Sequence, residues 1–140
     1  MKIIYQTTEG GVAVVTPAPG KTAESLVSKV VPSGALYEVV DDSVFPPSKR
    51  FRDAWEWHAI GLPVVLDITK VKESAQASLR NIVLNYIKKT EEKEALGEAL
   101  THSKTVITTA YQNCINELNG YTSVNQIEHC MDTFTSTYAI

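Results

Sequence analysis

The hydrophobic pattern changes period near the middle of the chain. Before Leu66 the apolar residues come in short runs broken by glycine, proline and Asx residues. After it they recur every three or four positions. A period near two suits half-buried strands, and a period near 3.6 suits helices packed on one face. Lys2 to Thr7 reads as a strand, Thr8-Glu9-Gly10-Gly11 as a turn and Val12 to Val15 as the return strand. Paired glycines accept positive φ without steric cost, which is what a tight hairpin needs. Pro17-Ala18-Pro19-Gly20 ends the ladder. Thr22 is placed to cap a short helix with Leu26, Val27 and Val30 on one side, and Ala35 to Val40 reads as a third strand. Asp41 to Lys49 forms a loop. Ala54–Trp57 and Val64–Leu66 then pair as a second hairpin across Ile60-Gly61-Leu62-Pro63.

From Asp67 the spacing predicts helices. Asp67 or Thr69 would cap the first, whose stripe is Ile68, Val71, Ala75, Leu79, Ile82, Val83 and Tyr86, with Lys88 and Lys89 in its last turn. Thr90 would cap a second, carrying Leu96, Ala99, Leu100, Ser103, Ile107, Ala110, Cys114 and Leu118 toward a stop at Asn119-Gly120. Ser123-Val124-Asn125-Gln126 fits a capping box for a third, whose apolar stripe is Val124, Ile127, Cys130, Met131, Phe134 and Tyr138. The fold class is therefore α+β: a small N-terminal antiparallel sheet with one short helix, then a helical half of two long helices and one shorter one. The division falls at residues 1–66 and 67–140. The first two long helices would span about 20 and 30 residues, or roughly 30 and 45 Å. Either the second breaks near Gly97, or the pair projects and finds a partner.

Composition narrows the function classes. At 140 residues, 44% hydrophobic and 21% charged, the chain is ordinary for a globular protein. Six basic and seven acidic residues precede Leu66, and seven and nine follow, for a net charge of −3. Neither half carries the basic footprint of nucleic-acid binding. No apolar run approaches a membrane span or a signal-peptide core. The expected setting is the cytoplasm or a particle assembled there, with neither nucleic acid nor membrane as partner.

Candidate chemistry is sparse. His102, Cys114, His129 and Cys130 are zinc-type ligands without the short paired spacings of a zinc site, and both cysteines fall on apolar stripes, where a thiol packs as a small hydrophobe. Two cysteines do not suggest a disulfide framework. His58 with Asp41, Asp42 or Asp53 lacks a nucleophile in a recognisable elbow. Asp41-Asp42 lacks a cation-loop register and reads as a solvated turn with one side chain bonded to the backbone. No catalytic, cofactor or metal residue is expected. Phe51, Trp55 and Trp57, with Arg52, read first as core packing between sheet and helices. The alternative is a protein-interaction patch, since Trp and Arg anchor interfaces.

Val40–Trp57, VDDSVFPPSKRFRDAWEW, concentrates acids, prolines, bases and aromatics. Together with the opening MKIIYQTTEGGVAVVTPAP and the following VVLDITKVKE, it resembles small tailed-phage and prophage proteins of the tail-fibre gene region, of a tail-fibre-assembly-like kind. The resemblance covers Met1 to about Glu73. It implies a role in the virion tail or its assembly, and it supplies no catalytic residue to transfer. The expectation is a non-enzymatic structural or assembly protein, in the virion or in the host cytoplasm during assembly. It would dock on a tail, tail-fibre or baseplate component and form a homo-oligomer or hetero-complex. The alternative is a small phage-encoded inhibitor of a host enzyme or defence complex.

Overall fold

The computed structural model describes residues 1–139. The chain is α+β and divides into two compact units, Met1–Asp67 and the residues from Ile68 on.

The first unit is built on a three-stranded antiparallel sheet. β1 (Lys2–Gln6) lies between β2 (Val12–Val15) and β3 (Tyr37–Val40). Ile3 pairs with Val15 and Val39, and Ile4 with Val14 and Glu38. Successive strand residues face opposite sides, so a central strand buries both Ile3 and Ile4 completely. The β1–β2 turn closes as its glycines predict. Gly10 adopts φ +82°, and the Thr7 amide donates to the Gly11 carbonyl at 3.0 Å. α1 (Ala23–Val30) starts where Thr22 accepts a hydrogen bond from the Ser25 amide, and it packs against β1. After a short 3-10 turn at Asp42–Val44 and another at Arg52–Ala54, β4 (Trp55–Glu56) pairs with β5 (Val65–Leu66) as a separate ribbon. The second hairpin exists, but only two residues of each arm are paired. One buried cluster joins both sheets: Ile4, Val40, Trp55, Trp57 and Val64, with Val12, Val14, Leu36, Val44, Phe45 and Leu66 packed around it.

The second unit is a three-helix bundle of α2 (Ile68–Ala95), α3 (Lys104–Gly120) and α4 (Val124–Tyr138), each in contact with the other two. The first helix boundary differs from the expected one. Thr90 caps nothing; it is buried inside α2, one step further along the stripe Val71, Ala75, Leu79, Val83, Tyr86. Glu91 to Ala95 are good helix formers, so nothing stops the helix until Gly97, which takes φ +72°. The long second helix is therefore split at Gly97, and the pair folds back rather than projecting. Leu96 and Leu100, expected on its stripe, lie in the connection and are exposed, whereas Ile107, Cys114 and Leu118 are buried.

Side chains hold that connection. The Tyr86 hydroxyl accepts from the His102 amide at 3.1 Å and donates to the His102 carbonyl at 3.4 Å. Lys104 at the start of α3 pairs with Glu94 at 3.2 Å and Glu91 at 3.4 Å. The hydrogen bond that Lys104 donates to Glu94 is the main cause of its raised pKa. α4 opens with the expected capping box: Ser123 accepts from the Gln126 amide, and the Gln126 side chain accepts from the Ser123 amide.

Candidate functional site

The Val40–Trp57 segment forms one wall of a surface pocket in the first unit. Asp41 begins the segment as an Asx turn, its carboxylate accepting from the Ser43 amide at 3.3 Å. This sends Asp42 toward the sheet, where it meets Lys2 of β1 at 2.7 Å. The Lys2 hydrogen bond, and then its charge, hold the Asp42 carboxyl below its ordinary value. Pro46-Pro47 cannot enter a ladder and carry the chain around the rim. The result is a pocket of about 400 Å³ with Lys2, Asp42, Lys49 and Arg52 at its charged edge and Phe45 and Trp55 in its wall.

The aromatic wall is layered. Phe45 and Trp55 stack with centroids 5.7 Å apart and planes 21° apart. The Arg52 guanidinium lies over the Trp55 ring at 5.6 Å, and the Lys2 ammonium over Phe45 at 5.7 Å. Cations are attracted to ring faces at such distances. Three cations against one carboxylate leave the rim positive although the whole chain is negative. Such a rim can receive a carboxylate or another anionic group.

The four residues singled out as an interaction patch separate. Phe51, Trp55 and Trp57 are 3%, 4% and 2% exposed, and only Arg52 reaches solvent freely. Trp55 and Trp57 do share one face, but it is the inner one, and their packing lies within the first unit. A patch of exposed aromatics is therefore excluded. Their indole Nε1 atoms are sealed from the surface and have no hydrogen-bond partner among the described residues. Burying such a donor unpaired costs about 1–3 kcal/mol, and it is shut away from any ligand in the pocket. What the hairpin does expose is aliphatic: Ile60, Leu62 and Val65 are 61%, 50% and 44% exposed. The Gly61 amide at this tip donates to the Glu38 carboxylate of β3 at 3.0 Å, which fixes the tip against the sheet edge.

The other candidates resolve as follows. His58 pairs with Glu56 at 3.2 Å and is largely exposed. Cys114 and Cys130 meet inside the second unit, and no group of three or more metal-ligating side chains converges among the described residues. No helix among the described residues is long and apolar enough to cross a membrane. Lys2 and Lys49 were not recognised from the sequence as partners in one site. Lys2 lies some fifty residues from Lys49 and Arg52, and only the sheet brings it to them.

Family models, curated proteins and solved structures provide no match to this chain.

Proposed function

We propose that this chain is a non-enzymatic docking protein of a phage tail or of its assembly, and that its first unit makes the contact. The reading rests on the resemblance over Met1–Glu73 and on one structural observation, the cationic pocket walled by Phe45 and Trp55. The aromatics stack and are held by the core. Lys49 and Arg52 therefore stand on a rigid wall that can seat an acidic side chain of a tail, tail-fibre or baseplate protein. The exposed aliphatic tip Ile60–Val65 adds apolar area in the same unit. Rigid presentation lowers the ordering cost of association, which suits an adaptor.

Mass spectrometry of purified phage particles and of their tail-assembly intermediates tests this reading. The chain is expected in one or both, in constant ratio to a tail component. Its absence from both, with recovery instead on a host enzyme or defence complex, would establish the inhibitor reading in its place.

A further inference from the structure

The Sγ atoms of Cys114 on α3 and Cys130 on α4 stand 2.6 Å apart. Non-bonded carbon atoms rest at about 3.5–4.0 Å, and sulfur is the larger atom. A disulfide holds its two sulfurs at about 2.0 Å. The pair is therefore nearer to bonding distance than to a packing contact. Both residues sit inside their helices rather than at the ends, among the buried side chains Leu118, Ile127 and Phe134. The remaining gap between the two sulfurs is about 0.6 Å.

We propose that Cys114 and Cys130 are a redox pair which closes to an intrachain disulfide under a peroxide or an oxidised low-molecular-weight thiol, stapling α3 to α4. Both cysteines lie in the wall of a surface pocket of about 560 Å³, lined also by Glu117, Tyr121, His129 and Phe134. With hydrogen peroxide, one thiol takes up an oxygen to become a sulfenic acid, and the O–O bond breaks with release of water. The second sulfur then attacks the first, the S–O bond breaks and a second water leaves. Together the two sulfurs lose the two electrons that the peroxide gains. With a small disulfide, the first thiol attacks one of its sulfurs, the S–S bond breaks and one small thiol leaves; the second thiol then attacks the resulting mixed disulfide and expels the other small thiol.

Burial, and then the hydrogen bond to Cys130, push the Cys114 thiol up to about 12. The first oxidation is therefore slow at neutral pH, because the thiolate is the reactive form. The second step joins atoms already in contact, so the intermediate does not accumulate. A reducing cytoplasm keeps the pair as two thiols, and an oxidising exterior closes it.

The reduced chain is treated with hydrogen peroxide, quenched, denatured and alkylated. No Lys or Arg follows Lys104, so trypsin leaves both cysteines in one peptide; cleavage after Glu117 and Glu128 separates them. The expected result is that the peptide ending at Glu117 stays joined to the one starting at His129 until reductant is added. The oxidised chain should also have an unfolding constant lower by on the order of 100-fold. In Cys130→Ser, a sulfenic-acid probe should label Cys114, whereas the wild type should take up almost none. If both cysteines of the oxidised wild type still accept the alkylating reagent, or if the bond joins two chains, the proposal is wrong. The wild-type peptide map decides this even if the variant does not fold. The result is independent of the docking proposal, because it does not involve the first unit.

Discussion

The Gln6 side-chain amide at the end of β1 donates to the Trp57 carbonyl just past β4 at 2.8 Å, across 51 residues of sequence. The bond ties the three-stranded sheet to the two-stranded ribbon. It fixes Trp57 where its side chain enters the cluster of Ile4, Val40, Trp55 and Val64. The ribbon has only two paired residues per arm, too few to hold its place by ladder bonds alone. Gln6→Ala is expected to lower stability by about 1 kcal/mol, since it removes one partly buried hydrogen bond. Trp57→Ala is expected to cost about 3–5 kcal/mol through the cavity it leaves. Urea unfolding of the two variants checks both values and their order.

Asp42 should titrate below its ordinary value of 3.8. Its folded pKa is depressed by Lys2, so the pair's contribution is present above the unfolded value and is lost as pH falls through the folded one. The carboxyl resonance of Asp42, followed by NMR, should therefore show a midpoint below 3.8 in the wild type. In Lys2→Met the midpoint should move up. An unchanged midpoint would mean that the ion pair does not form in solution.

Gly97 and Gly120 should respond oppositely to alanine. Gly97 takes φ +72°, and nothing would touch an added Cβ, so only backbone strain opposes the change. Gly97→Ala should destabilise by about 1–2 kcal/mol. Gly120 ends α3 without positive φ and also has open space around it. Gly120→Ala should stabilise by about 0.5 kcal/mol, because alanine loses less conformational freedom on folding. Thermal unfolding followed by circular dichroism separates the two signs.

Ser123→Ala removes the side chain that caps α4 and half of its capping box. A loss of about 1 kcal/mol is expected. Amide hydrogen exchange should rise first at Gln126, whose N–H bonds to the Ser123 hydroxyl.

Features written in local chemistry could be read from the sequence. The Gly10-Gly11 turn, the Thr22 cap and the Ser123 capping box each depend on a few adjacent residues, and each appears where expected; the break at Gly97 is one of the two outcomes the sequence left open. Thr90 misled because Thr-Glu-Glu is a sound helix start locally, while the same threonine lies on the bundle-facing stripe of α2 and no breaker precedes it. Tertiary packing overrode the local signal there. That Trp55 and Trp57 share a face followed from strand alternation, but alternation alone did not say whether that face was the inner one. The Cys114–Cys130 contact and the Lys2–Asp42 pair join separate elements. Their only trace in the sequence is that both cysteines fall on apolar stripes. Spacing along one chain carries no information on which stripes will face each other.

We propose that the cationic rim of the first unit docks a tail component. The direct test is binding of dissociated, purified tail proteins to the immobilised chain, with the wild type compared with Lys49→Glu/Arg52→Glu. Near-UV circular dichroism of the double variant confirms that the aromatic core is intact. A tail, tail-fibre or baseplate protein is expected to bind the wild type. The double reversal should weaken that binding at least about tenfold, equivalent to about 1.4 kcal/mol. Equal binding by both forms, or no tail protein bound by the wild type, would contradict it.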